Sequence, residues 1–431
     1  MAGAGAKLFT SGSVLTADQV NTFLMDQSIM RFTSTTTRDA AFGGAGEPTL
    51  AEGMFAYTTD TNTLWLYNGS SWVNLLGSDI GEQALSNRNV IINGAMQVAQ
   101  RGTSVAGITT GAGLAYNTAD RWGFYPTTMG TWTNTVETDA PTGSGLRNSF
   151  KVLCTTADAS PAAGDNLQVG YRLEGQNIQQ FCKGTASAKQ FALSFWVKSN
   201  VTTGTYVITL SDIDNNRLVS GTYTITASAT WEKKTLIFAA DTTGAFDNNN
   251  ELSLLIRFGL GAGSNTSSGT LRTAWTAAVA ADEFVGQTNV AAAINNYWQI
   301  TGVQLEVGSV ATPFEFEDIG VTLAKCQRYY QRTTGARNFA TTVAQTSTDA
   351  YGLVPLPVSM RVPPTSVDTN TLRAFDLVNA ATSISAVTLD GSVSSETYAA
   401  VKIVTTGMTA FRTYFVIENG AGSYLGFGAE L

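Results

Sequence analysis

The sequence predicts a mainly β protein of short strands: an N-terminal helix plus β-hairpin anchor, a central two-sheet sandwich and a smaller C-terminal β-sandwich. Three observations predict it. Charged residues make up 13% of the 431, roughly half of the ~25% in ordinary soluble chains. Thr, Ser, Asn and Gly take their place, a mix that favours strands and turns over long helices. Alternating polar and apolar runs recur along the chain, whereas sustained helical spacing occurs once.

Residues 1–87 form the first unit. Thr16 reads as an N-cap and Gln19 completes a capping box. Val20, Phe23, Leu24 and Gln27 keep helical spacing, and Met30 follows. A helix of this length is marginal alone, so it needs a surface, either on its own chain or in a larger assembly. Residues 31–50 read as loop. Strands at 53–57, 64–67 and 72–73 are joined by Asp60-Thr61-Asn62 and by Asn68-Gly69, a dipeptide suited to positive φ in hairpin turns.

Residues 88–319 form the largest unit. Strands are expected at 149–154, 166–173, 191–198, 205–210, 218–226, 231–239, 252–260 and 297–307. That number of short strands between turn signals predicts a jelly-roll β-sandwich. In the run 191–198, Phe191, Leu193, Phe195 and Val197 share the core face, while Ser194 and Lys198 point outward. Residues 320–431 read as a second sandwich, opened by 323–330, with strands at 351–357, 400–405 and 414–418. Pro355, Pro357, Pro363 and Pro364 belong at edges or turns, since proline cannot donate to a ladder.

Composition excludes several classes of function. The net charge is −8 and no basic run occurs, which argues against nucleic acid and anionic membrane surfaces. The chain has no His, which removes His-based acid–base catalysis, a Ser-His-Asp triad and most zinc sites. Cys154, Cys182 and Cys326 match no metal or redox spacing and read as reduced thiols of a chain folded in a cytosol. No apolar run of about 7–15 residues follows the small opening residues, so no secretory signal is expected. No segment reaches the ~20 apolar residues of a membrane span. Release by lysis fits both expectations.

Several motifs occur together. The run Arg88-Asn89-Val90-Ile91-Ile92-Asn93-Gly94-Ala95-Met96-Gln97 continues to Ser104 and is followed by Ala119-Asp120-Arg121-Trp122. Leu173-Glu174-Gly175-Gln176-Asn177 and Leu193-Ser194-Phe195-Trp196-Val197-Lys198 come next. Ile300-Thr301-Gly302-Val303-Gln304-Leu305-Glu306 then leads to Ala311-Thr312-Pro313-Phe314-Glu315. Together they resemble the carbohydrate-binding-module-like jelly roll of phage tail fibres and other virion fibres, especially those of marine and cyanobacterial phages. Cys326-Gln327-Arg328-Tyr329-Tyr330 and residues 357–364 are similar to a C-terminal domain that often follows it. The hairpin unit from Gly53 to Trp72 resembles a short module of phage tail-associated proteins.

The resemblance covers about residues 88–370. It implies a homotrimeric, non-enzymatic virion protein of the tail or capsid, made in the host cytoplasm. It would bind other virion proteins through residues 1–87 and a host-surface glycan through its sandwiches. Long rod-like shafts are common in such fibres and absent here, which implies a short appendage. The alternatives are a structural adaptor or capsid-attached fibre without receptor binding, and a polysaccharide depolymerase.

Glycan contact needs aromatic faces beside planar polar groups. Tyr125, Trp132, Trp196 and Trp275 are the candidates, each weighed against ordinary packing. Trp275 falls in the long connection 262–296, and Trp122, alternating with Phe124, reads as core. Asp212, Asp214 and Asn216 have the i, i+2, i+4 oxygen spacing of calcium loops, although an Asx-rich turn gives the same pattern. Glu174, Glu306, Glu315 and Glu317 are carboxylates that could supply a hydrolytic acid–base pair, although scattered carboxylates ordinarily serve solubility.

Overall fold

The computed structural model describes residues 14, 16–17, 29–44, 48–75, 87–111, 113–335, 338–378 and 381–431. They fall into two compact units, Met1–Ser86 and Asn87–Leu431. Among the described residues, no helix is long and apolar enough to cross a membrane.

In the first unit, β1 (Ile29–Phe32) pairs in parallel with β2 (Phe55–Thr58), and β3 (Thr63–Tyr67) and β4 (Trp72–Asn74) follow as antiparallel neighbours. Asn62 (φ 51) and Gly69 (φ 90) make the left-handed turn positions between them. A short helix, Thr35–Asp39, starts with a Ser34–Thr37 capping box. Its buried Arg38 lies 4.6 Å from the Trp65 ring and 5.0 Å from the Trp72 ring, a cation–π contact. Ile29 and Met30 open this sheet instead of closing a helix, because they pair with Phe55 and Ala56. The helical spacing expected at residues 18–28 lies outside the described residues.

The second unit begins with two six-stranded sheets. The first has the order β13 (Glu232–Phe238), β10 (Phe191–Ser199), β16 (Tyr297–Val307), β8 (Ser149–Thr156), β7 (Thr131–Glu137), β5 (Ser104–Ile108). The second has the order β15 (Thr276–Ala277), β12 (Arg217–Tyr223), β11 (Tyr206–Asp212), β14 (Leu252–Ala262), β9 (Asn166–Glu174), β6 (Trp122–Thr127). From β8 to β16 the chain changes sheet at most connections, which is jelly-roll connectivity. Inward residues of both sheets, among them Trp122, Phe150, Phe195, Tyr206, Phe258 and Trp298, form one core. Trp122 and Cys154 belong to it, as their alternation predicts.

The opening motif is a strap across this sandwich. Asn93, at φ 59, donates from Nδ2 to the Val98 and Asp120 carbonyls and accepts at Oδ1 from the Gln97 and Val98 amides. The Trp122 indole donates to the Asn93 carbonyl at 3.2 Å. Gly94 is required by close approach: a Cβ there would stand 2.1 Å from the Val303 carbonyl oxygen. Asn89 bonds Val303 and Leu305, and Glu315 accepts from the Asn87 and Asn89 amides. Two motifs more than 200 positions apart are thus one structural device.

A helix, Ile319–Gln327, capped by Asp318, leads into the C-terminal sandwich. Its smaller sheet is β17 (Tyr330–Thr334), β26 (Tyr424–Gly428), β20 (Ser366–Asn370). Its larger sheet is β22 (Thr382–Ser383), β21 (Leu372–Phe375), β25 (Thr413–Glu418), β18 (Ala340–Ala344), β19 (Asp349–Pro355), β24 (Tyr398–Val404), β23 (Ala386–Leu389). The two sheets share a second core that includes Leu372, Ile403, Tyr414, Val416 and Phe427. Pro355 ends β19, an inner strand, opposite Tyr398.

The two sandwiches are bolted together by stacked and paired arginines. Arg121, 1% exposed, sits 3.4 Å from the Tyr329 ring and pairs with Glu430 at 2.6 Å. Arg101 lies 3.5 Å from the Tyr330 ring and 3.2 Å from Glu430. Arg328 grips the buried Glu174 with two bonds of 2.9 Å. Arg361 and Asn250 exchange side-chain bonds to each other's carbonyls. The motif residues Asp120-Arg121-Trp122 and Arg328-Tyr329-Tyr330 therefore meet at this joint.

Candidate functional site

Two of the four expected glycan contacts are core residues. Trp132 is fully buried, donates to the Met129 carbonyl at 2.6 Å and meets Phe124 edge-on. Trp275 is 9% exposed, donates to the Ala239 carbonyl at 2.8 Å and packs on Phe191. A sugar needs an accessible ring face, so both readings are corrected: Trp132 fills the sandwich, and Trp275 pins the 262–296 connection to it. Tyr125 and Trp196 are half-buried. Each follows an inward phenylalanine, Phe124 or Phe195. They therefore lie on the outer faces of opposite sheets and form no common site.

The outer face of the first sheet gathers chemistry around Trp196. The pairing of β10 with β16 slips between Ser194 and Trp196, and such a bulge re-aims a side chain. Opposite it, Gly302 sits at φ 60, where a Cβ would come within 2.7 Å of Leu146 and 3.2 Å of the Trp196 ring. The glycine makes room for both. Register then lays out a polar row, because Lys198 pairs with Gln299, Gln299 with Lys151, and Lys151 with Thr135.

Aromatic rings flank this row. Trp231, just before β13, has the Lys198 ammonium 5.0 Å from its ring. Tyr297, opening β16, has Lys151 at 5.0 Å. Asp139, from the connection between β7 and β8, reaches across as the hub. Its carboxylate accepts from Lys198 Nζ, from Trp231 Nε1 at 3.2 Å and from Gln299 Nε2 at 3.2 Å. Gln299 also donates to Ser149 Oγ at 2.6 Å, which fixes its plane. Burial raises the Asp139 pKa, but the bonds from Lys198 and Trp231 outweigh it and hold the carboxyl below its ordinary value. Beside the hub, Thr138, Pro141, Thr142, Leu146, Arg147 and Asn148 help line a cleft of about 430 Å³.

The arrangement presents half-exposed Trp196, Trp231 and Tyr297 with an amide, a carboxylate and ammonium groups locked at fixed positions between them. That is the chemistry that receives a ring with apolar C–H faces and a hydroxyl rim. Trp196 was legible in the sequence. Trp231, Tyr297, Gln299 and Asp139 were not, since they come from the starts of two strands and a connection. The available signal was that the outward positions Lys151, Lys198 and Gln299 are all polar, but only register aligns them.

The carboxylates considered for hydrolysis hold the fold together. Glu174 pairs with Arg328. Glu306 accepts from Gln304 and from the Thr312 amide, both at 2.8 Å. Glu315 binds the opening strap, and Glu317 pairs with Lys325. They are dispersed along structural joints.

The expected calcium row resolves differently. Asp212 is buried, and its carboxylate takes the Lys183 ammonium at 2.5 Å. The same ammonium reaches Asp241 at 3.0 Å and the Thr243 and Gly244 carbonyls at 3.1 and 2.6 Å. Asp214 accepts from the Asp247 amide, and Asn216 holds the turn at φ 50. The cation at Asp212 is thus a side chain, and Asp214 and Asn216 serve the turn. Among the described residues, no group of three His, Cys, Asp or Glu could hold a metal ion. Cys154 and Cys326 are buried, Cys182 is partly exposed, and all three are free thiols.

No family model and no curated protein matches the chain. Among solved structures it is similar to the enzymatically active domain of tailspike protein 4 of bacteriophage CBA120, with 15% identity, 51% of this chain, 22% of that one and a TM-score of 0.28. A putative sugar binding protein from Bacteroides thetaiotaomicron matches with 11% identity, 51% of this chain, all of that one and a TM-score of 0.28. A family 11 carbohydrate-binding module of a Clostridium thermocellum cellulosomal cellulase matches with 12% identity, 47% of this chain, 97% of that one and a TM-score of 0.25. All three are partial, low-scoring likenesses.

Proposed function

We propose that this chain is a non-enzymatic adhesin of a phage virion that holds a host-surface glycan on the outer face of the first jelly-roll sheet. The observation that carries the reading is the Asp139 hub, which fixes Lys198, Trp231 and Gln299 beside the half-exposed Trp196. The resemblance of its motifs to those of phage fibres supports the virion setting, with residues 1–87 as the anchor and copies of the chain assembled as a homotrimer. The engagement of Glu174, Glu306, Glu315 and Glu317 in structural bonds supports binding over hydrolysis.

The test is direct. Trp231→Ala and Trp196→Ala are expected to weaken binding of host-surface oligosaccharides about tenfold each, ~1.4 kcal/mol, with circular dichroism unchanged. The full chain should compete with phage for host cells, and incubation with the glycan should release no new reducing ends. Unaltered affinity in both variants would refute the site, and reducing-end release would favour a depolymerase. Sedimentation equilibrium should give about three times the 45.5 kDa chain mass.

A further inference from the structure

The outer face of the first jelly-roll sheet carries more positive charge than its own carboxylates use. On β13, Lys233 and Thr235 point outward and are exposed, while Leu236 and Phe238 enter the core. Register sets Lys233 directly opposite Trp196, and Trp196 opposite Thr301. Lys233 therefore stands at the corner between the half-exposed Trp231 and Trp196. On the other side of Trp196, the Thr301 hydroxyl donates to the Asn148 carbonyl at 2.6 Å. That bond draws residues 145–148 onto the sheet, so that Leu146 and the Trp196 ring crowd the same space above Gly302. Arg147, the next residue, is exposed on the rim of the cleft.

The charges of this face can be matched in turn. Lys198 pairs with Asp139, and Lys151 with Glu137 at 3.0 Å. Glu306, opposite Ala192 on the same face, is 1% exposed and accepts from Gln304 and Thr312. Lys233 and Arg147 are left over: among the described residues neither makes an ion pair. In a chain of net charge −8, two unmatched cations on either side of one accessible ring run against the global balance. They come from separate segments, so the sequence shows no basic run.

We infer that this face takes an acidic glycan, one whose sugars carry a carboxylate or a sulfate ester. This rests on the glycan site proposed above and names the ligand class of that site. A sugar stacked on Trp196 turns its polar rim outward, with Lys233 on one side and Arg147 on the other. An anionic substituent on that rim supplies the charge both side chains lack. The guanidinium meets a carboxylate or a sulfate with two parallel N–H bonds, and the ammonium adds a point charge. A neutral sugar gains nothing from either. Asp139 does not oppose such a ligand, because Lys198, Trp231 and Gln299 already satisfy its carboxylate.

Two pairs of probes that differ in charge test the inference on the full chain. Oligogalacturonate is compared with its methyl ester, and a sulfated galactan oligosaccharide with its desulfated form. In one pair the charged member should bind at least about tenfold tighter at low salt, and the margin should close in about 0.5 M salt. The pair that shows it distinguishes carboxylate from sulfate. Lys233→Gln combined with Arg147→Gln should bring the two members of that pair to within about twofold. Both residues are exposed, so circular dichroism stays that of the parent. Trp196→Ala should weaken both members alike. Equal binding within each pair, lost in Trp196→Ala, leaves the site standing and overturns its acidic preference. A preference that survives the double variant, or charged-probe binding that survives Trp196→Ala, also overturns it, because the anion is then held elsewhere. Failure of all four probes to bind defeats the site and this inference together.

Discussion

Asp120 shows what burial does to a single carboxyl. It is 1% exposed, and burial pushes its pKa up to about 6 although Gln100 donates to it from its amide and its side chain. A raised carboxyl favours the protonated folded state, so its contribution to stability is present below about pH 4 and lost as pH rises through 6. The loss is roughly 3 kcal/mol for a shift of this size. Glu232, held at about 2, acts oppositely: its contribution is present above its unfolded value of 4.5 and lost as pH falls. Melting temperature should therefore decline between pH 4 and 6.5 through Asp120. In Asp120→Asn that decline should disappear, leaving only the loss at acid pH. Lys183 is the other buried charge. Lys183→Met leaves Asp212 and Asp241 without their ammonium and should cost about 3–5 kcal/mol in urea denaturation. Asp212→Asn in the same chain should restore part of it, and strict additivity would show that the pair is not coupled.

Single elements show how much of the fold the sequence made legible. The run Phe191–Ser199 was readable because its inward positions Phe191, Leu193, Phe195 and Val197 are all apolar. The strand Thr131–Glu137 was not, because its inward row contains the buried Asn134 between Trp132 and Val136. Ser104–Ile108 is an edge strand with a register slip and only half-buried apolar residues, so it carries almost no period. Met30 fits a helical spacing and a strand equally, and pairing with Ala56 decides it. The group around Asp139 was legible only through Trp196, since its other members converge through register and the connection between β7 and β8. The strap makes its own prediction. Gly94→Ala places a methyl against the Val303 carbonyl, so β16 and the strap have to separate. The expected result is a melting temperature lowered by many degrees, and an unchanged one would refute the close packing.

At the scale of the whole molecule, the motifs that suggested a display module turn out to build its joints. Arg121 and Tyr329, from motifs about 200 positions apart, stack at the junction of the two sandwiches, and Arg328 fastens Glu174 across it. Residues 87–431 should therefore unfold as one cooperative body in calorimetry. Arg328→Ala with Glu174→Gln, taken as a double-mutant cycle, should show a coupling energy of about 1–3 kcal/mol and divide the transition in two. A zero coupling energy would mean that the pair merely fills space. The Lys183 cage has a consequence of another kind. Four oxygens of Asp212, Asp241, Thr243 and Gly244 surround an ammonium that is covalently part of the chain. A tethered cation has no dissociation constant, so neither dilution into an ion-poor medium nor a chelator removes it. The turns it gathers keep their order whatever salts surround the protein.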